Sequence, residues 1–228
     1  MCGRFTLRST DRIRLKLDGA DQLELDDIVP RFNIAPGQNV LGILEQQHLI
    51  FCKLLLWGLV PSWSKEQKGF INARAETLAE KPSFSEPFQR RRCLIPADGF
   101  YEWKRTGRAR QAFFFQMKDE APFAFAGLWD EWKKDGASID SCAIVTTTAN
   151  ELLTPVHDRM PVILTEETYR LWLDPRADPT ELKNLLIPFP AIAMKSHPVG
   201  SKVNHPDIDN DDLIKRVDVE SGTTPSLF

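Results

Sequence analysis

Short hydrophobic segments, separated by polar and turn-forming residues, predict a chain built mostly of β-strands. Two such segments, residues 40–45 and 49–56, predict strands that meet at Gln46 and Gln47. The same pattern predicts further strands at 93–96, 100–104, 112–117, 123–128, 141–148, 161–164 and 192–195. The turn-forming triplet at 97–99 predicts that the first two of these form a hairpin.

Fewer segments predict helices. Capping and apolar residues indicate short helices at 9–17, 165–173 and 179–186, one or two helical turns at 74–78, and loops at 30–39 and 57–63. Strands therefore outnumber helices and do not alternate regularly with them. This favours an α+β fold with one domain, mainly antiparallel, in which short peripheral helices surround a barrel-like sheet.

The length of 228 residues fits a single domain of this kind. From Asp207 onward the sequence is acidic and then rich in Ser, Gly and Thr. We therefore predict a domain at 1–206 and a loose acidic and polar tail at 207–228.

Charge and composition exclude several classes of protein. The chain carries 29 Lys and Arg against 32 Asp and Glu, a net charge of −3, so binding to nucleic acid requires a local basic patch. The densest run of positive charge, residues 90–92, is interpreted as a solvated face. No apolar run approaches the ~20 residues of a membrane span, and the N-terminus lacks the apolar core of a secretory signal. We predict a cytoplasmic monomer that does not contact membranes.

Neither a metal nor a cofactor is predicted. The four cysteines are Cys2, Cys52, Cys93 and Cys142, and none forms a CxxC pair. They are too sparse for a disulfide framework and are interpreted as thiols. The histidines have no convincing ligand spacing, and the sequence contains no phosphate-binding or dinucleotide-binding fingerprint.

Cys2 is the most unusual feature of the chain. Removal of Met1 would leave on it a free α-amine and a thiol, whose ordinary pKa values are ~8 and ~8.5. An aldehyde is the matching electrophile, since the amine forms a Schiff base and the thiol then closes a five-membered thiazolidine. Both groups lie on one residue, so effective molarities of ~10⁵ M are attainable. On position alone, a small residue at a frayed terminus is the simpler interpretation.

Five motifs favour the chemical interpretation. They are MCGRF at 1–5, WGLVPSW at 57–63, FINARAET at 70–77, ADGFYEW at 97–103 and HDRMP at 157–161. This ordered set resembles the SRAP family (SOS response-associated peptidase), which is known for shielding abasic sites in single-stranded DNA by covalent crosslinking. The resemblance extends over nearly the whole chain.

The resemblance implies a role for four residues. Cys2 resembles the crosslinking nucleophile, and Asn72 the asparagine that hydrogen-bonds the captured sugar. Glu102 and His157 match the catalytic carboxylate and imidazole, and we assign ring opening to His157 and Schiff-base proton transfer to Glu102. Each also has a structural interpretation when taken alone: a loop cap for Asn72, an exposed strand carboxylate for Glu102, and a capping or core histidine for His157.

DNA binding needs cations and stacking surfaces. Arg4, Arg74 and Arg159 each lie within two residues of a proposed catalytic position, so convergence of those positions predicts a basic ring around the pocket. Trp63 is predicted to stack on a base, although Ser64 follows it where some family members carry a second aromatic residue. The resemblance further implies that the DNA channel is lined by Asn33, Pro36 and Thr146, although taken alone the first two fit a turn and Thr146 a buried strand hydroxyl.

The leading hypothesis is a sensor of abasic sites in single-stranded DNA, nucleoid-associated when bound, that forms a thiazolidine crosslink through Cys2. A crosslink that stops at the Schiff base would permit strand cleavage by β-elimination, a lyase activity. Two alternatives use the same residues differently. One is an N-terminal-nucleophile peptidase that processes its own Met1, and the other is a non-covalent single-strand-binding module.

Overall fold

The computed structural model describes residues 2–8, 29–107 and 109–218. Within these ranges the strands are β1 (Arg4–Leu7), β2 (Arg31–Ile34), β3 (Asn39–Gln46), β4 (Leu49–Trp57), β5 (Asn72–Arg74), β6 (Arg92–Ala97), β7 (Gly99–Thr106), β8 (Ala109–Met117), β9 (Phe123–Lys134), β10 (Ala137–Thr148), β11 (Arg159–Pro161), β12 (Ile163–Leu164) and β13 (Met194–Pro198). The α-helices in the same ranges are α1 (Ser85–Arg90), α2 (Glu166–Leu173) and α3 (Pro179–Asn184). Short 3₁₀ turns lie at Ala191–Ala193, Ser201–Asn204 and Asp211–Ile214.

Five strands close on one another into a barrel. β3 pairs with β4 and β6, β6 with β9, and β9 with β10, all antiparallel, and a parallel contact between β10 and β4 closes the ring. Side chains on both faces of these strands, such as Ile43, Leu94, Phe125 and Ile144, are fully buried. A closed ring leaves no free strand edge along its length, which explains why the apolar strands of this sequence are stable together.

A second sheet lies beside the barrel and carries the N-terminus. Its strand order is β13-β8-β7-β1-β2. β1 pairs antiparallel with β7, which sets Arg4 opposite Tyr101 and Phe5 opposite Phe100. Phe5 packs edge-on against Trp57 and Phe125 of the barrel, so the start of the chain is held between the two sheets.

Much of this architecture agrees with the sequence predictions. The α+β fold with a barrel and peripheral helices is confirmed, as are the hairpin of β3 with β4 and the internal strand β10. α2 ends at Leu173, as predicted. The predicted helix at 9–17 lies outside the described residues. Among the described residues, no helix is long and apolar enough to cross a membrane.

The predicted hairpin around residues 97–99 is wrong. β6 belongs to the barrel and β7 to the second sheet, so the chain changes sheets at Asp98. Asp98 is buried; its carboxylate accepts hydrogen bonds from the Thr6 hydroxyl and the Arg8 backbone amide. The turn-forming residues therefore mark a corner that is fixed by contacts with β1, a long-range effect that local turn signals do not reveal.

Two other segments differ from the sequence predictions. β2 occupies part of the predicted loop at 30–39 because it completes the second sheet beside β1. The segment at 74–78, by contrast, closes one helical turn as predicted, since the Leu78 amide donates to the Arg74 oxygen at 2.9 Å. α1 was not predicted, and its short length and its proline leave only a weak helical pattern.

The tail predicted to be loose is packed as far as Asp218. Leu213 is buried beneath the 3₁₀ turn, and Val217 donates a backbone hydrogen bond to Pro198. The Asp209 carboxylate also accepts hydrogen bonds from the Arg31 side chain and the Phe32 amide. This segment therefore covers the outer face of the second sheet, although its acidic composition predicts a loose tail. Residues 219–228 lie outside the described ranges.

Arg92 joins the two helices to the barrel, which contradicts the solvated face predicted for residues 90–92. Its guanidinium is buried and donates to the backbone oxygens of Phe88, Gln89, Trp172 and Asp174 at 2.5–2.7 Å. Burial lowers the pKa of Arg92 to about 10. One side chain thus donates hydrogen bonds to backbone oxygens at the C-terminal ends of both α1 and α2, where oxygens lack partners within the helix.

We expect Arg92→Ala to lower the free energy of unfolding by about 3 kcal/mol, because hydrogen bonds to charged groups contribute ~1.5–3 kcal/mol each and are not additive. Urea denaturation followed by fluorescence measures this loss. Arg90→Ala, at an exposed position of the same run, is the matched control and should change stability by less than ~0.5 kcal/mol. Equal losses in the two variants would contradict a special role for Arg92.

Candidate active site

Cys2 lies in the interior of the molecule, just before β1. Its side chain is completely buried, and its sulfur lies 3.9 Å from the backbone oxygen of Arg4. The Asn72 side-chain amide donates a 3.0 Å hydrogen bond to the Cys2 carbonyl oxygen. This contact links the start of the chain to β5, seventy residues away.

β5 positions Asn72 through its pairing with β10. The two strands run parallel, with Asn72 opposite Ile144 and Ala73 opposite Val145. Side chains alternate along a strand, so the buried Ala73 leaves Asn72 on the opposite face. The Asn72 Oδ1 atom is buried and accepts no hydrogen bond from any residue that the structure describes. The amide therefore has an unused acceptor in the immediate surroundings of Cys2.

Glu102 reaches the same region from β7. Because β7 runs antiparallel to β1, Glu102 follows Tyr101 toward the residue that precedes Arg4. Only 2% of Glu102 is exposed. Burial raises the pKa of its carboxyl above the ordinary value, while nearby positive charge, first that of the N-terminus and then that of His157 when its ring is protonated, acts in the opposite direction. Glu102 thus lies within electrostatic reach of both Cys2 and His157.

The thiol of Cys2 is held in its neutral form. Burial is the main cause that raises its pKa, and the nearby Glu102 carboxylate raises it further. A thiolate in this position would lose its hydration and face a like charge. Reaction of the sulfur therefore requires a neighbouring group that accepts its proton.

His157 precedes β11, and its ring orientation is fixed by the backbone. The Arg159 amide donates a 2.9 Å hydrogen bond to His157 Nδ1. Asp158 Oδ1 also lies 2.9 Å from this nitrogen, but 87% of the Asp158 side chain is exposed and water competes for it. The amide contact requires an unprotonated Nδ1, so the neutral ring carries its proton on Nε2.

Two of the three arginines predicted to form a basic ring are bound to other groups of the protein in this structure. The Arg4 guanidinium donates to Asn33 Oδ1 at 2.8 Å and to the Val203 oxygen, and burial lowers its pKa. Arg159 forms a two-point ion pair with Glu76 at 2.5 and 2.9 Å. Arg74 is exposed on β5.

Two residues predicted to line a DNA channel are inside the protein. Asn33 is completely buried, and its side-chain nitrogen donates to the backbone oxygens of His205 and Ile208. Thr146 is also completely buried, and its hydroxyl faces the Ala73 oxygen at 3.4 Å. In this structure both side chains hold strands and the C-terminal segment together, and their contact with DNA stays a prediction.

Two other predicted contacts are on the surface. Pro36 is exposed in a tight turn, in which Gly37 adopts a φ of +83° that favours glycine. Trp63 is 63% exposed, and its indole N–H faces the Pro82 oxygen at 3.4 Å. An indole face in solvent is an unusual exposure for so large an apolar group, and it suits a stacking contact.

The sequence analysis assigned no role to two residues that shape this region. One is Glu76, which lies inside the FINARAET motif and forms the ion pair with Arg159. Asp130 is buried and accepts a hydrogen bond from the Ser62 amide at 2.8 Å, which fixes the loop that carries Trp63. The acidic residue in β9, at an otherwise apolar position, was the only signal for Asp130.

No group of three or more His, Cys, Asp or Glu side chains suited to a metal ion occurs in the part of the chain that the structure describes. A groove beside the start of α2, lined by Met117, Phe123 and Tyr169 among others, contains none of the predicted site residues. Around Cys2, by contrast, the Asn72 amide binds the cysteine backbone, and the Glu102 carboxyl interacts electrostatically with both the thiol and His157.

The fold and this site define a barrel protein with a buried N-terminal cysteine. The family model described as SOS response associated peptidase (SRAP) matches residues 1–206, and the chain belongs to this family. The abasic site processing protein YoqW of Bacillus subtilis is 44% identical over 222 residues, covering 94% of this chain and 99% of YoqW. The abasic site processing protein YedK of Escherichia coli is 31% identical, covering 95% and 100%. A crystallised protein of Bacteroides thetaiotaomicron matches with a TM-score of 0.84 at 26% identity, covering 95% and 100%.

The raised pKa of Glu102 predicts a pH-dependent cost in stability. The folded state keeps this proton to higher pH than the unfolded state, so stability is lost as pH rises from about the ordinary pKa of 4.5 through the folded-state value. We expect Glu102→Gln to gain stability relative to the native protein over this range, by at most about 1.4 kcal/mol per pH unit.

Urea denaturation between pH 4 and 8 measures this difference. Glu181→Gln, which removes an exposed carboxylate from α3, is the control and should follow the native curve. A Glu102→Gln difference that stays constant with pH would contradict the assignment of a buried, proton-retaining carboxyl.

Proposed function

We propose that this protein recognises abasic sites in single-stranded DNA and captures the sugar aldehyde covalently through Cys2. The observation that carries the proposal is the position of Cys2, which is held by Asn72 and lies within electrostatic reach of Glu102. The names of its relatives YoqW and YedK as abasic site processing proteins support the same substrate.

The proposed reaction begins once hydrolysis has removed Met1 and freed the Cys2 α-amine. The neutral amine attacks the aldehyde carbon of the opened sugar to give a carbinolamine, and loss of one water leaves an imine. The sulfur then bonds to the same carbon while the thiol proton passes to the imine nitrogen. The product is a thiazolidine, and one water molecule is released overall.

Glu102 and His157 divide the proton transfers. A carboxyl whose pKa is raised retains its proton closer to neutral pH, so Glu102 is suited to protonate the departing water of the carbinolamine. With Nδ1 occupied by the Arg159 amide, His157 presents Nε2 for opening of the sugar ring. The unused Oδ1 of Asn72 is an acceptor for a sugar hydroxyl.

Processing of Met1 by Cys2 itself uses the same groups. A peptidase mechanism needs a donor to the carbonyl under attack, which is that of Met1. Asn72 donates instead to the carbonyl of Cys2, on the other side of that bond. This placement favours Asn72 as a holder of the nucleophile over Asn72 as an oxyanion donor.

Incubation with a single-stranded oligonucleotide containing one abasic site, followed by a denaturing gel, tests the proposal. We expect a heat-stable adduct with the native protein and none with Cys2→Ala. Cys52→Ala, which removes a half-buried thiol in β4, should form the adduct normally. A tetrahydrofuran analogue of the lesion cannot open to an aldehyde and should give no adduct. An adduct that persists in Cys2→Ala would overturn the proposal.

The α-amine requirement gives a second prediction. A variant that retains Met1, confirmed by mass spectrometry, has its thiol but no free amine on Cys2. We expect it to lose at least 90% of capture, on the order of the effect of removing an essential nucleophile. Unimpaired capture by this variant would show that the amine takes no part in the bond.

Arg74 is the basis of a third prediction. Its exposed guanidinium on β5, beside Asn72, is suited to a phosphate, so Arg74→Ala should weaken binding of undamaged single strands equally for all sequences. The slope of log K against log salt should become shallower by about 0.7, the value for one phosphate of a single strand. Fluorescence anisotropy at several salt concentrations measures both. A loss that depends on base sequence would contradict a phosphate contact.

A further inference from the structure

Arg159 is bound by a carboxylate in the place where a DNA phosphate is expected. Its two terminal nitrogens donate to the two oxygens of Glu76 at 2.5 and 2.9 Å. One of them also donates to the Thr146 backbone oxygen at 2.6 Å. The fork of a guanidinium fits a carboxylate and a phosphate in the same two-point geometry.

The two partners of this pair differ in exposure. The Arg159 side chain is 12% exposed and the Glu76 side chain 47%. Arg159 is anchored on β11 and by Thr146, whereas Glu76 lies in the turns after β5. Glu76 can therefore swing into water at little cost in desolvation, and the binding energy of such half-exposed pairs is small enough for a competitor to replace them.

The pair lies near Arg74, which is proposed above to contact a phosphate. β5 and β11 flank the same end of β10, with Arg74 opposite Thr146 and Arg159 opposite Thr148. Two strand spacings and an offset of two residues along β10 separate the backbones of Arg74 and Arg159, about 12 Å in all. The hydrogen bond from Arg159 lowers the pKa of Glu76, so its carboxylate is ionised and neutralises the arginine.

We propose that Glu76 is an internal counterion of Arg159, which a DNA phosphate must displace, and that Glu76 thereby limits the affinity for DNA without a lesion. This inference rests on the proposed function. Together, Arg159 and Glu76 bring no net charge to the strand, so their phosphate contact releases no counterion. Weak binding of intact DNA leaves selection of the lesion to the covalent step, which only an aldehyde supports.

The test compares Glu76→Gln with the native protein on an undamaged single-stranded oligonucleotide. Glutamine keeps a neutral hydrogen-bond acceptor for Arg159 but removes the charge. We expect binding at low salt to tighten on the order of fivefold, the equivalent of one surface ion pair. The slope of log K against log salt should become steeper by about 0.7 because Arg159 now neutralises one phosphate.

Glu80→Gln is the matched control, since it removes an exposed carboxylate from the same segment. We expect it to change affinity less than twofold and to leave the slope unchanged. Glu76→Ala should behave like Glu76→Gln, and thermal melting checks that both variants fold. At saturating abasic DNA, the rate of covalent capture by Glu76→Gln should equal that of the native protein.

Weaker binding or an unchanged slope in Glu76→Gln would overturn the proposal and make Glu76 a residue that orients Arg159. Slower capture at saturating DNA would overturn it too, since it would assign Glu76 to the positioning of His157. These outcomes are independent of the crosslink, because binding is measured on DNA that has no aldehyde. Failure of the native protein to form an adduct would instead reject the proposed function.

Discussion

Burial of the second residue of the chain is the constraint on which this structure depends. A terminus is ordinarily exposed and frayed, yet Cys2 is completely enclosed. This is achieved by pairing of β1 with both β2 and β7 and by packing of Phe5 against Trp57 and Phe125. The long-range pairing supplies the free energy that offsets the conformational entropy of an ordered terminus. Without it, the thiol and its backbone would have no fixed position relative to any other group.

The same burial determines the chemistry that is available. It removes water from the sulfur and from Glu102, so both groups retain their protons at higher pH than they would on a surface. A nucleophile in this environment is unreactive toward solutes in general, and it depends on a partner that moves its proton. An enclosed aminothiol therefore favours a substrate that enters the pocket as a small aldehyde-bearing unit, such as a sugar without a base.

The sequence predicted the parts of the fold that arise from local patterns. The hairpin of β3 with β4, the strand β10 and the helix α2 follow from hydrophobic spacing and capping residues. Asp98 and Arg92 are different, because their roles arise from partners distant in sequence: Thr6 for Asp98, and Trp172 for Arg92. Within a run of charged residues, no local feature of the sequence distinguishes a buried residue that joins several elements from a residue on a solvated face. The site shows the same division, since the burial of Asn33 depends on backbone oxygens of His205 and Ile208, which lie far away in the sequence.

The arginines show how an acidic protein can approach DNA. The guanidinium groups of Arg4 and Arg92 donate hydrogen bonds to backbone oxygens inside the protein. The count of positive residues in the sequence does not reveal this internal role. The cations left at the surface near Asn72 are few, and one of the candidates, Arg159, faces its own carboxylate. Because its net charge is −3, the protein as a whole is only weakly attracted to the phosphate backbone. Retention at a lesion would then require a bond that does not depend on charge. The covalent link proposed for Cys2 would meet this requirement, whereas further arginines would hold the protein on every single strand alike.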